Sequence, residues 1–270
     1  MHDDGTLEFD RVHETWNQAI HGRGGVSVDG GDLTLSHANA YQGETDIHKN
    51  SALTLKGQGS IAASSVRNDG LLDLSHTEHG TSVRSLDGAS SGRVGLGAKT
   101  LSLSHADGSF AGVIQGREGG LNIAAGRETL TGANTYSGSS SIAKGATLAL
   151  AGQGGIADST VRDDGKLDVS ATAKGASARS LDGGATGRVE LGTKSLRLTK
   201  ASGRFAGSID GAGDLRVSGG REVLREPATT SREPALRFTV PAPARDWIST
   251  TPAFGTLKVA FEFTTTELGA

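Results

Sequence analysis

The feature that most constrains this chain is a stretch of 32 residues that occurs twice. Residues 119–150 read GGLNIAAGRETLTGANTYSGSSSIAKGATLAL, and residues 24–55 show the same pattern about 95 positions earlier. In both, short apolar runs alternate with polar residues between glycines, which is typical of short strands and tight turns. The two stretches align on an asparagine and a tyrosine: Asn39 and Tyr41, and Asn134 and Tyr136. Recurrence at a fixed period predicts an all-β solenoid with at most trivial helix content.

A longer segment is also duplicated. Residues 57–116 and 152–211 align without a gap, and 36 of the 60 positions are identical. Because one turn cannot bury enough apolar surface to offset the entropy of ordering its backbone, stability must come from stacking. The preserved aliphatic positions are predicted to face inward: Ile61, Val66, Leu72, Leu86, Val94, Leu96, Leu101, Leu103 and Ile114. The preserved glycines are predicted to allow positive φ or close backbone approach: they are Gly70, Gly88, Gly92, Gly97, Gly108, Gly112 and Gly116.

Composition supports a repetitive β fold and excludes several classes of function. The chain has 41 glycines and only 4% aromatic residues, whereas a compact core usually contains more aromatic bulk. Its net charge of −3 gives no indication of a nucleic-acid binder. The absence of cysteine excludes disulfides, cysteine-ligated zinc and cysteine nucleophiles. The sequence has no apolar run of membrane-spanning length, and its polar start predicts no signal peptide within this chain.

The repeats define the predicted organisation. We predict β-helical repeats over residues 1–224, divided into a partial unit at 6–56, a full unit at 57–151 and a partial unit at 152–224. The Gly-Ala-Asn-Thr-Tyr-Ser-Gly element expected after the third unit is missing, and residues 225–270 form a proline-containing tail without repeats.

This tail is predicted to be irregular or loosely docked on the last turn. Proline cannot donate a ladder hydrogen bond and is excluded from central strands, and all five prolines lie here: Pro227, Pro234, Pro241, Pro243 and Pro252. The alternative is an apolar cap formed through Leu257–Phe263, which would cover the unpaired backbone of the last turn.

Three short motifs match catalytic or metal-binding patterns, but their aligned copies lack the key side chains. Residues 88–92 match G-x-S-x-G and residues 141–144 match S-x-x-K, two hydrolase signatures. Residues 76–79 (His-Thr-Glu-His) offer metal-ligand side chains, although zinc needs three or four converging ligands. We interpret the first two as turns and the third as solvated surface. No catalytic, cofactor-binding or metal-binding residue is therefore assigned.

Recurring charged residues leave two interpretations open. The aspartates recur in pairs: Asp69 and Asp164, Asp73 and Asp168, Asp87 and Asp182. The arginines do the same: Arg67 and Arg162, Arg84 and Arg179, Arg93 and Arg188. They could form the groove of a carbohydrate-active enzyme, which needs two carboxylates at a set separation. We favour turn formation and surface pairing, because Asp-Gly is a turn dipeptide and a catalytic site does not normally repeat with its scaffold.

The asparagine and tyrosine shared by the repeats are also given structural roles. Asparagine tolerates the left-handed conformation, so Asn39 and Asn134 are predicted to be turn residues. Tyr41 and Tyr136 are predicted to pack with their hydroxyls near the surface.

Taken together, these elements resemble the passenger region of Gram-negative autotransporters of type V secretion. The Gly-Gly-Leu and Leu-Thr-Gly-Ala-Asn-Thr-Tyr-Ser-Gly elements within residues 119–148 are similar to the autotransporter-associated β-strand repeat, and the resemblance extends over about residues 6–224. It implies a right-handed parallel β-helix displayed outside the cell, at the cell surface or outer membrane. The usual roles of that family are adhesion, aggregation, biofilm formation and other host or surface interactions.

The sequence departs from that family at both ends. It contains neither the signal peptide nor the C-terminal membrane barrel, so we expect a passenger fragment, a truncated gene product or a reading frame lost after Leu224. We expect a non-enzymatic, surface-displayed protein without cofactors. The expected partner is a host surface or matrix component, or a second copy of the chain, but no nucleic acid. A barrel translocator is expected in full-length relatives.

Overall fold

The computed structural model describes residues 1–11 and 13–225, and within them it contains strands and turns but no helix. The two predictions made for the tail concern residues beyond Arg225 and lie outside this described part. The strands are β1 (Thr6–Asp10), β2 (His13–Trp16), β3 (His21–Gly22), β4 (Gly25–Asp29), β5 (Asp32–Leu35), β6 (Ala40–Tyr41), β7 (Thr45–Ile47), β8 (Ala52–Gly57), β9 (Val66–Asn68), β10 (Leu71–Thr77), β11 (Thr81–Val83), β12 (Leu86–Asp87), β13 (Arg93–Gly95), β14 (Thr100–Leu103), β15 (Ser109–Phe110), β16 (Val113–Gln115), β17 (Gly120–Ile123), β18 (Arg127–Leu130), β19 (Ser139–Ile142), β20 (Thr147–Gly152), β21 (Thr160–Asp163), β22 (Lys166–Thr172), β23 (Ala176–Ala178), β24 (Ser180–Asp182), β25 (Arg188–Gly192), β26 (Leu196–Leu198), β27 (Arg204–Phe205), β28 (Ser208–Gly211), β29 (Leu215–Val217) and β30 (Val223–Leu224).

These strands stack in parallel and wind into a solenoid of about 11 turns. One turn is formed by β4, β5 and β6, which belong to three different sheets, so the shaft has three faces. Partners on adjacent turns lie 19 to 22 positions apart, as in the pairs Ala52–Leu71 and Leu72–Val94. The all-β parallel solenoid predicted from the repeats is confirmed.

The core is a stack of aliphatic side chains that follows this register. Leu33, Leu53, Leu72, Val94 and Ile114 are successive partners on five turns, and all are fully buried. Each fully buried aliphatic side chain contributes about 1.5–3 kcal/mol. All nine aliphatic positions predicted to face inward are buried. The alternation of apolar and polar residues therefore identified the inner surface correctly.

Two buried phenylalanines sit against glycines that have no room for a side chain. A Cβ added to Gly88, Gly92 or Gly112 would collide with the Phe110 ring. Phe205 lies in the same way against Gly183, Gly187 and Gly207 in the next copy. Close backbone approach, as predicted, explains why these glycines recur.

The recurring asparagines link three consecutive turns and are not turn residues. The Asn39 side chain accepts the N–H of Ile20 at 2.9 Å and donates to the carbonyls of His37 at 2.8 Å and Ser60 at 3.1 Å. The aligned Asn134 makes the same three bonds to the aligned backbone groups, at 2.9, 2.9 and 3.1 Å. Both side chains are buried, and neither backbone has positive φ. The prediction of a left-handed turn was wrong because the amide instead satisfies backbone groups inside the coil.

The prediction that the tyrosine hydroxyls lie near the surface was also wrong. Tyr41 is 1% exposed, and its hydroxyl bonds to Thr45 Oγ1 at 2.7 Å, which in turn bonds to Ser64 Oγ at 2.8 Å. Tyr136 forms the aligned chain with a second pair of hydroxyls, Ser140 and Ser159, at 2.6 and 2.8 Å. A buried hydroxyl needs a partner, and these hydroxyl chains supply it. Burial raises the pKa of Tyr41 well above its ordinary value and that of Tyr136 to about 12, although the hydroxyl partners oppose the shift.

The two copies of the repeat lie on different faces of the shaft. The sheet β2–β5–β8–β10–β13–β16 maps by the 95-residue offset onto the sheet β15–β18–β20–β22–β25–β28. That second sheet continues the face of β1–β4–β7–β9–β12, to which the Gly88–Phe110 bridge connects it. The 95-residue offset between the copies therefore spans five turns of the solenoid minus one face. Aligned surface residues therefore point in different directions around the shaft.

Candidate functional site

The outer faces consist of polar side chains. Along the strands, buried and solvent-facing residues alternate, as in β5 and β8. Among the described residues, the exposed large hydrophobic side chain is Met1. All the tyrosines and phenylalanines within residues 1–11 and 13–225 are buried. These faces therefore offer hydrogen bonds and charge but little apolar or aromatic surface to a partner.

The recurring aspartates next to glycine bind the backbone of the following turn. Asp69 accepts the N–H of Ala89 at 2.6 Å, and Asp87 accepts that of Ser109 at 2.9 Å. Asp164 and Asp182 make the aligned bonds to Gly184 at 2.9 Å and Arg204 at 3.0 Å. Recurrence of these carboxylates is thus explained by scaffold hydrogen bonds, in agreement with the structural interpretation.

The hydrolase-like serine motif is an exposed turn. Gly92 donates to the Ala89 carbonyl at 3.0 Å, and Ser91 Oγ donates to the Asp69 carbonyl at 2.8 Å. In the other hydrolase-like motif, Ser141 lies on β19 and faces outward. Within the described part of the chain, the side-chain hydroxyls of Ser91 and Ser141 bond to the Asp69 carbonyl and to Ser139, and neither bonds to a histidine.

The histidine motif places its side chains on the surface. His76 pairs with Asp73 at 3.5 Å and His79 with Glu78 at 3.9 Å, and both imidazoles are exposed. Over residues 1–11 and 13–225, no group of three or more His, Cys, Asp or Glu side chains has an arrangement that could hold a metal ion.

The sheet β18–β20–β22–β25–β28 carries a ladder of ion pairs on its outer face. The members are Arg127, Lys166, Asp168, Arg188, Glu190 and Asp210. The shortest contact, 2.9 Å, joins Arg188 Nε to Asp210 Oδ2, and Arg188 also lies 3.7 Å from Glu190. Burial acts to raise the pKa of Asp168, but hydrogen bonds from Ser170 and the nearby cations outweigh it and lower the pKa. This face therefore carries charges of both signs that largely neutralise each other.

Two carboxyl groups, those of Asp163 and Glu128, are fully buried, a third, that of Glu222, is partly buried, and none of the three was identified from the sequence. Asp163 is fully buried and accepts N–H groups from Gly165 at 3.0 Å and Arg188 at 3.2 Å. Burial raises its pKa to about 7, although these bonds oppose the shift. Burial likewise raises the pKa of Glu222 to about 7, while weak contacts from Gly203 N–H and Ser180 oppose it.

Glu128 occupies the position aligned with Glu222. It is fully buried, and neither carboxylate oxygen has a hydrogen-bond partner in the described part of the chain. Burial, followed by the charges of Asp87 and Asp107, raises its pKa well above the ordinary value. The strand alternation in β18, with Leu130 inside, could have shown that position 128 faces inward.

A groove of about 290 Å³ lies at one corner of the shaft. We call it the first groove, and it is lined by Ser65, Arg84, His105, Ala106, Asp107 and Gly126. Sequence alignment gives the corresponding surface of the next copy as Thr160, Arg179, Lys200, Ala201, Ser202 and Gly220, and we call this set of residues the second groove. Neither Arg84 nor Arg179 forms a salt bridge within the described residues. These two of the recurring arginines therefore remain available to a ligand.

The structure thus defines a class of protein: an elongated parallel β-solenoid that presents polar side chains on three faces. The passenger-associated-transport-repeat family matches residues 28–49 and 125–150, which contain the asparagine links and the tyrosine hydroxyl chains. The chain therefore carries repeats that are characteristic of autotransporter passenger domains. That family implies export to the cell surface.

No curated protein and no solved structure matches the chain. The described residues contain no helix that is long and apolar enough to cross a membrane.

Proposed function

We propose that this chain is a surface-displayed adhesion module without catalytic activity, which binds a host surface or matrix component or a second copy of itself. The observation that carries the proposal is the match of its two repeats to a passenger family. A solenoid of stacked turns is a rigid spacer that can present extended faces to a large partner.

The residues that recur in both copies have structural roles, which supports this proposal. The recurring aspartates at Asp87 and Asp182 are engaged with backbone N–H groups, and the recurring aliphatics fill the core. Most of the differences between the copies lie on the outer surface, where adhesive specificity is expected to lie. The duplication therefore preserves a scaffold and varies what the scaffold displays.

The test uses the purified full-length chain on beads. We expect the beads to bind cultured cells or extracellular matrix, or to clump with one another, above the level of beads that carry serum albumin. A panel of polysaccharide hydrolysis assays is run in parallel on the same preparation. Absence of binding and clumping, together with hydrolysis of any polysaccharide, would overturn the proposal.

A further inference from the structure

The backbone around the second groove matches that of the first in several hydrogen bonds and in one glycine conformation. Position 105 donates its N–H to the carbonyl of Arg84 at 2.9 Å, and Lys200 donates to Arg179 at the same distance. The glycines at the end of each groove, Gly126 and Gly220, both have φ of 81°. The N–H of Ser202 bonds to Ser180 Oγ at 2.9 Å, as that of the aligned Asp107 bonds to its own serine at 3.2 Å. Differences between the grooves therefore reside in their side chains.

Three substitutions make the second groove more positive than the first. His105 is replaced by Lys200, Asp107 by Ser202, and Ser109, at the edge, by Arg204. All three positions are solvent-exposed in both copies. The first substitution adds positive charge at neutral pH, the second removes a negative charge, and the third adds a permanent cation.

The cations of the second groove are free to bind an anion. Within residues 1–11 and 13–225, Arg179, Lys200 and Arg204 form no salt bridge. Asp182 lies beside them, but its Oδ1 atom already accepts the N–H of Arg204 at 3.0 Å. Glu222 is partly buried against Ser180 and Gly203, and burial raises its pKa to about 7, which reduces its negative charge near neutral pH.

The cations also follow the axis of the shaft. Lys200 bonds through its backbone to Arg179 on the preceding turn, and Arg221 bonds to Ala201 in the same manner on the next. Strands in adjacent turns are about 4.8 Å apart. Cations on three consecutive turns match a linear chain of negative charges better than a single small anion.

We propose that the second groove binds the sulfate or carboxylate groups of an acidic polysaccharide. This inference rests on the proposed adhesive function and names its partner. At the extracellular location that the repeat family implies, acidic polysaccharide is an accessible polyanion. Single-stranded nucleic acids are usually held by exposed aromatic side chains on which bases stack, and the described faces offer no exposed tyrosine or phenylalanine.

The experiment compares dextran sulfate with uncharged dextran, two polymers with the same sugar backbone. We expect the full-length chain to bind dextran sulfate, not dextran, and to lose affinity as salt is raised. The variant Lys200→His, Ser202→Asp, Arg204→Ser converts the second groove to the side chains of the first. This variant replaces two cationic side chains and introduces one carboxylate. We therefore expect its affinity for dextran sulfate to fall by roughly tenfold or more at 0.1 M salt.

The first groove provides the matched control. The reciprocal variant His105→Lys, Asp107→Ser, Ser109→Arg should increase the number of dextran sulfate chains bound per protein. All the changed side chains are exposed, so equal circular dichroism and equal urea midpoints confirm that both variants are folded.

Several results would overturn the inference. These are unchanged affinity in the first variant, equal binding of dextran, equal competition by inorganic sulfate at the same charge concentration, or stronger competition by single-stranded DNA. If the first variant retains dextran sulfate while the wild-type beads still bind cells or matrix, only the groove assignment fails. If wild-type beads bind nothing, the proposed adhesive function fails as well.

Discussion

The face that carries β8, β10, β13 and β16 and the face that carries β20, β22, β25 and β28 are built on aligned residues, yet they display different chemistry. On the first face, Leu71 and Gly95 occupy outward positions of β10 and β13. On the second, the aligned residues are Lys166 and Glu190, and both join the ion-pair ladder. The core beneath both faces is aliphatic.

The comparison shows that fold and surface chemistry are specified by separate residues. Inward aliphatics, the glycines around the phenylalanines and the asparagine links set the backbone, and these recur. Outward positions change without altering the register. Some differences also reach the interior: Leu74 and Val83 are replaced by the smaller Val169 and Ala178, and Asn68 by the ionisable Asp163, all of them fully buried.

The largest predicted effect tests whether the two copies are structurally equivalent. Phe110→Ala and Phe205→Ala each leave a cavity beside three glycines that cannot fill it, so each should cost about 3–5 kcal/mol in unfolding free energy. Hydrogen exchange of amides in the surrounding turns measures the loss locally. A loss confined to one copy would contradict the equivalence.

Replacing the asparagine link is expected to have the next largest effect. Asn134→Ala leaves the Ile114 N–H and the Gly132 and Gly155 carbonyls without the side-chain partner they have now. Leaving buried polar groups unsatisfied costs about 1–3 kcal/mol, and urea midpoints should fall accordingly. The aligned Asn39→Ala should match it, whereas Asn122→Ala, whose side chain donates one partly buried bond to Ser102, should have little effect.

The asparagine links and the core positions also show how much of the fold and of the candidate site can be predicted from the sequence. The 95-residue recurrence and the alternation at positions such as Leu72 and Val94 were sufficient for the solenoid and its core. The role of Asn134 could not be predicted, because its partners lie about 20 residues away on both sides and become neighbours only after the coil has formed. The grooves were missed for a related reason: Arg84 and His105 come from different turns.

Asp163 should give the second copy a pH dependence that the aligned Asn68 cannot give the first. The pKa of Asp163 rises from 3.8 to about 7 on folding, so the folded state holds a proton that the unfolded chain releases. The stabilisation is therefore complete below about pH 4 and is lost as pH rises to about 7. This loss corresponds to roughly 1.4 kcal/mol per pKa unit of the shift, so Asp163→Asn should raise the unfolding free energy at pH 8 and change it little at pH 4.

Urea unfolding at pH 4 and pH 8 measures this difference. Asn68→Asp provides the matched control, because it should introduce the same loss of stability into the first copy. Glu128 and Glu222 have pKa values raised in the same direction, so a smaller pH dependence should remain in the Asp163→Asn variant. An unchanged pH dependence in Asp163→Asn would show that the Asp163 carboxyl is not its source.

The smallest predicted effect tests the ladder itself. Arg188 pairs with Glu190 and Asp210, whereas the aligned Arg93 forms no salt bridge in the described part of the chain. Because these side chains are about half exposed, solvent screens the pairs, and Arg188→Gln should lower the unfolding free energy by only about 0.5 kcal/mol at low salt. This loss should disappear at 1 M salt, where the screening length is about 3 Å. Arg93→Gln should be neutral at both salt concentrations, since it removes no pair, and equal costs for the two variants would show that the ladder contributes no stability of its own.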